Sequence, residues 1–150
     1  MGQQQLLLVI LVTILVGIAT VVAINIFGTA ADQANRDAVR QDLLAAVGQA
    51  QAIWQRPSAM GGYGQSFDPD DVDFDIRRLN IPRSSDPTDT YEDDEIVNDN
   101  GTYTVVSGEQ RILTLQGLPQ AGGGAIQVTL TREAEGGGDT GAWEIEWTEL

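Results

Sequence analysis

The sequence predicts an α+β protein, with a long N-terminal helix packed on a C-terminal antiparallel β-meander of about four strands. Three observations carry that expectation. Leu6 to Ile24 form a nineteen-residue apolar stretch without charge, and no charged residue occurs before Asp32. Apolar residues then recur at helical spacing from Asp32 to Arg56. Finally, apolar and polar side chains alternate in four runs over the last fifty residues, between Gly-rich turns.

The apolar stretch spans roughly 29 Å as a helix, about the thickness of a bilayer's hydrocarbon core. Asn25 to Ala31 is a transition, and Gly28 is expected to loosen the helix there. In the amphipathic part, Val39, Leu43, Ala46, Ala50 and Ile53 form the stripe, and Val47 and Trp54 widen it. Pro57 ends the helix because it lacks an N–H and clashes with the preceding turn. A single helix from Gln3 to Arg56 is about 81 Å long, too long for a small head to cover. The expected organisation is a membrane or filament-core helix over 1–31, its amphipathic continuation over 32–56, an acidic irregular region over 57–100 and a sheet over 101–150.

Charge and composition restrict the chemistry. The net charge is −14, from 22 acids and 8 bases, and all the bases are Arg. Without His, Cys or Lys, the usual general bases, thiol nucleophiles, thiolate metal ligands and Schiff-base amines are missing. The expectation is a protein that is not an enzyme and carries no cofactor. An acidic head is a poor general binder of nucleic acid or anionic lipid, both of which need basic patches. Abundant Asp with Arg in place of Lys fits a high-salt habitat, and equally an acidic extracellular protein from a GC-rich genome.

In the irregular region, Gly61, Gly62 and Gly64 surround Tyr63. Val72, Phe74 and Ile76 alternate with Asp73 and Asp75, the pattern of a short strand, and Leu79 and Ile81 anchor the loop to a core. Asp68, Asp70, Asp71, Asp73 and Asp75 are weak Ca²⁺ candidates. They do not follow the twelve-residue EF-hand loop, so solvated acidic surface is the default reading. Asn100-Gly-Thr fits the N-glycosylation pattern and also a common turn.

The four strand runs begin with Thr102 to Val105, and a turn at Ser107-Gly-Glu-Gln leads to Arg111-Ile-Leu-Thr-Leu. A loop holding Gly122, Gly123 and Gly124 leads to Ala125 through Thr131, with Ile126, Val128 and Leu130 facing one way. The last run is Trp143-Glu-Ile-Glu-Trp, with Trp143, Ile145 and Trp147 on one face. The helix stripe is expected to cover this sheet, with Val39, Leu43, Ile53, Trp54, Trp143 and Trp147 packing the head.

A naked apolar helix, its amphipathic continuation and an antiparallel sheet resemble a type IV pilin or pseudopilin. The likeness covers the whole chain as architecture, and as sequence only about the first thirty residues. It implies cleavage by a prepilin peptidase after Gly2, leaving Gln3 as a methylated first residue, or else Met1 as the mature start. The chain departs from the family in three ways. It has no acid near the fifth mature position (Gln5 or Leu7 stands there), no Pro before Pro57 and no cysteine for a disulfide loop. Gly17 and Thr20 replace the Pro as expected weak points.

By this resemblance the chain is a structural subunit of an extracellular helical homopolymer, held in the inner membrane before the pilus machinery assembles it. Gln3, Gln4, Gln5, Leu7, Ile10, Ile14, Gly17, Val21 and Ile24 are the expected assembly residues. The amides of Gln3 to Gln5 would bond to neighbouring copies. Two alternatives are a single-pass membrane-anchored protein whose head binds a ligand or partner, and a minor pseudopilin of a secretion or DNA-uptake machine.

Overall fold

The structure is a computed structural model describing residues 2–70, 74–84, 95–136 and 139–150. The chain divides into two compact units, Met1–Ala34 and Asn35–Leu150. The α+β expectation holds: helix α1 runs over Gly2–Gln55, and a five-stranded open antiparallel sheet follows.

In the first unit α1 is continuous through Gly17, Thr20 and Gly28, where the sequence led us to expect weak points. Leu, Ile, Val and Ala dominate this part, and a helix satisfies its own backbone wherever water is absent. No loosening occurs because a helical Gly costs only a fraction of a hydrogen-bonded turn.

In the second unit α1 buries one stripe: Val39, Leu43, Ala46, Val47, Ala50, Ile53 and Trp54. Its end is closed by a glycine-rich turn. The amides of Tyr63, Gly64 and Gln65 donate to the carbonyls of Ile53, Arg56 and Trp54, each at 3.0 Å. These carbonyls lie at the end of the helix, where the i→i+4 ladder stops, and Ile53 also accepts the Arg56 amide at 3.1 Å. Gly61 and Gly64 take left-handed φ of 74° and 59° there, which suits residues without a Cβ.

The strands are β1 (Glu95–Val97), β2 (Gly101–Glu109), β3 (Ile112–Pro119), β4 (Ile126–Arg132), the hairpin β5 (Glu135–Gly136) and β6 (Asp139–Thr140), and β7 (Trp143–Glu149). The sheet order is β1-β2-β3-β4-β7. Three expectations need correction. The sheet has five strands because Glu95–Val97 pairs with Thr102–Thr104. Only Ile96 of that strand is fully buried, so its sequence shows almost no alternation. The turn expected at Ser107 to Gln110 is strand as far as Glu109; a bulge between Val105 and Ser107 breaks the alternation that would have revealed it. The strand expected around Phe74 and Ile76 is not formed. Ile76–Arg78 is a single 3₁₀ turn capped by Asp75, whose side chain accepts the Arg77 amide, and Val72 and Asp73 lie outside the described residues.

The core lies between α1 and one face of the sheet. Leu113, Leu115, Ile126, Val128 and Leu130 meet the helix stripe, and Leu79 and Ile81 pin the preceding loop as expected. Gly117 sets the approach of helix to sheet. A Cβ there would sit 2.6 Å from Val39 Cγ1 and 3.3 Å from Leu43 Cδ1. At the far end Tyr63, Phe67, Phe74, Trp54 and Trp143 form one aromatic cluster, with Trp54 and Trp143 edge-on at 5.1 Å.

Candidate assembly surface

In the first unit every large apolar residue from Leu6 to Phe27 is exposed. Leu7, Ile10, Ile14, Val21 and Ile24, named from the sequence, are all among them. The only hydroxyls in the Leu6–Ile24 stretch are satisfied inside the helix. Thr13 Oγ1 donates to the Ile10 carbonyl and Thr20 Oγ1 to the Val16 carbonyl, both at 2.8 Å. The side chains of this segment therefore need no polar partner, which suits both lipid and a dry helix bundle. By length and composition the helix fits a membrane span, and among the described residues its apolar window is unburied. Gly17 meets nothing within 4 Å, and Gln3, Gln4 and Gln5 are exposed at the end of the helix. An open groove of about 400 Å³ runs along Val22, Asn25, Ile26, Thr29, Ala30 and Gln33 on one side of it.

In the second unit the main polar feature is a hub that sequence reasoning missed. Asp42 Oδ2 accepts from Tyr103 Oη at 2.6 Å, Asn98 Nδ2 at 3.0 Å and Asn100 Nδ2 at 2.9 Å. Asn98 Oδ1 accepts in turn from the amides of Asn100 and Gly101, closing the β1–β2 turn. Burial pushes the Tyr103 phenol well above its ordinary range, and the hydrogen bond and negative charge of Asp42 push the same way. The signal was faint: Asp42 stands next to Leu43 on the helix, just off the apolar stripe. Asn100-Gly-Thr forms part of the β1–β2 turn, and the Asn100 side-chain nitrogen donates to Asp42 there.

The acidic tract shows local bonding. Asp68 Oδ1 accepts the Asp70 amide at 3.0 Å, and Asp75 accepts from the Arg77 amide at 2.8 Å and from its guanidinium. The bond from Arg77 holds the Asp75 carboxyl below its usual range. Among the described residues no three His, Cys, Asp or Glu side chains are grouped to hold a metal ion. Asp71 and Asp73 lie outside those residues.

Of the expected head-packing residues, Val39, Leu43, Ile53 and Trp54 are buried and Trp143 is packed against the core. Trp147 is the exception and corrects the expectation: it is 38% exposed, and Ile145 on the same face is 40% exposed. Their register partners Val128 and Leu130 are fully buried. The burial of the inner strands therefore does not extend to the edge strand β7.

No family model, no curated protein and no solved structure matches this chain. Its architecture, one long apolar N-terminal helix followed by an antiparallel sheet, is pilin-like.

Proposed function

We propose that the chain is the structural subunit of an extracellular, type IV pilus-like helical filament. The apolar helices form its core and the acidic heads its surface. The observation that carries this reading is the unbroken, wholly exposed apolar helix, whose hydroxyls are already satisfied. Relative to water, burying the larger side chains among copies is worth roughly 1.5–3 kcal/mol each, which summed over about twenty residues exceeds what one charge pair supplies. The assembled core is thereby held against release into water without an acid near the N-terminus.

Before assembly the same helix holds the chain in the inner membrane. By resemblance, a prepilin peptidase cleaves after Gly2 and the pilus machinery extracts the subunit. The role is non-catalytic, and the partners are many identical copies. A single-pass membrane anchor is the second reading, favoured by the same fit to a bilayer.

Leu7→Ile and Leu7→Asp provide the test. The Ile variant should form filaments at normal yield. The Asp variant should form few or none, because it buries an unpaired carboxylate. Normal filament yield from Leu7→Asp would refute a dry helical core.

A further inference from the structure

We propose that the Asn100–Gly101 peptide is a spontaneous deamidation site, which the fold holds shut by gripping that peptide on both edges and whose reaction detaches the β1–β2 turn from α1. The inference is independent of the filament reading.

The sequence holds five asparagines, and Asn100 alone is followed by glycine. In such a pair the glycine nitrogen can close on the Asn side-chain carbon with no Cβ in its way. The structure explains why this labile pair stands here. Asn100 Nδ2 donates to Asp42 Oδ2 at 2.9 Å, so the position uses its amide. A Cβ at Gly101 would run into the Leu118 carbonyl on β3, so the next position needs glycine. The hub fixes one residue of the pair and the strand pairing fixes the other.

The same surroundings restrain the reaction. Ring closure requires the Gly101 nitrogen to give up its proton and the peptide plane to swing toward Asn100 Cγ. The Gly101 amide donates to Asn98 Oδ1 at 3.0 Å, and Asn98 is only 7% exposed. On the opposite edge of this planar group, the Asn100 carbonyl accepts from Asn35 Nδ2 at 2.9 Å and from the Gln120 amide at 3.0 Å. Asn35 Oδ1 in turn accepts the Ala121 amide at 3.2 Å. The peptide is therefore tied to its own turn, to α1 and to the residues just after β3. It can react only when these ties open locally.

The chemistry balances with water alone. The Gly101 nitrogen loses its proton to hydroxide and bonds to Asn100 Cγ. The Cγ–Nδ2 bond breaks and Nδ2 leaves as ammonia. Water then opens the succinimide at either carbonyl, giving a normal or an iso-linked aspartate. The net change is one side-chain amide plus water to one carboxylate plus ammonium. That carboxylate replaces a donor to Asp42 with a second negative charge, and two carboxylates so close do not both stay ionised. The iso-linked product also adds a backbone carbon to the turn. Either product breaks the tie from the turn to α1.

The test uses the detergent-solubilised full chain at mildly alkaline pH. Peptide mass spectrometry follows exchange of the amide NH₂ for OH at position 100, and enzymatic methylation counts iso-linked product. The native chain should react about tenfold or more slowly than the same chain in concentrated guanidinium chloride, and Asn98→Ala should speed the native reaction about tenfold by freeing the Gly101 amide. Tyr103→Phe is the control, since it weakens the same hub but leaves every bond to the Asn100–Gly101 peptide in place. It should accelerate the reaction much less than Asn98→Ala. The deamidated native chain should melt at lower temperature than the intact one. Equal rates in native and denatured chain, equal acceleration by Asn98→Ala and Tyr103→Phe, or an unchanged melt after deamidation would overturn the inference.

Discussion

The Tyr103 hydroxyl donates to Asp42 Oδ2 at 2.6 Å, joining α1 to β2 across sixty-one positions of sequence. Asn98 and Asn100 donate to the same oxygen, so the one carboxylate holds the helix, β2 and the β1–β2 turn together.

Tyr103→Phe should destabilise the head by about 1–3 kcal/mol, and Asp42→Ala by more, because it leaves three donors without their acceptor. The pH dependence has a definite sign. The folded-state pKa of Tyr103 lies above the unfolded value of about 10, so its contribution is complete below pH 10 and is lost as pH rises beyond it. Tyr63 is raised as well, by burial, and adds to the same alkaline loss. Denaturant unfolding from pH 7 to 12 should show an alkaline limb that is shallower in Tyr103→Phe. Equal limbs would separate Tyr103 from that limb.

Gly117→Ala should cost about 1–3 kcal/mol by overpacking. The clash falls on Val39, a β-branched side chain with little rotamer freedom. Leu43→Ala and Ile53→Ala should each cost about 2–5 kcal/mol through the cavities they leave. Urea midpoints of the detergent-solubilised chain measure all three. Midpoints unchanged by Leu43→Ala would refute the helix-on-sheet packing.

The head should melt at higher temperature in 1 M NaCl than in 0.1 M. The net charge of −14 is self-repulsive, and the Debye length falls from about 10 Å to about 3 Å over that range. Specific Ca²⁺ binding would behave differently, with stabilisation by millimolar CaCl₂ that matched MgCl₂ and NaCl do not reproduce. Melts that are flat in all three salts would show that the acidic surface is neither strained nor a metal site.

Much of the fold was legible because it follows from periodicity. The stripe from Val39 to Trp54 and the alternation of Ile126, Val128 and Leu130 each predict a buried face, and the structure buries them. Strand β1 was not legible, because three residues with one buried side chain show no period. The Asp42 hub was hidden for a related reason: a polar residue beside a core stripe reads as surface until a distant Tyr and two Asn are seen to meet it. The exposure of Trp147 also escaped the sequence, since alternation shows which residues share a face and not how far the covering helix reaches. The apolar helix was plain from composition alone, and its large side chains are exposed.

Electron microscopy of material sheared from cells that express the chain, with mass spectrometry of the same fraction, tests the filament directly. The account predicts thin filaments in which this chain is the principal protein, and their loss when it is deleted. A chain that is absent from sheared filaments and stays monomeric when purified in detergent would contradict it.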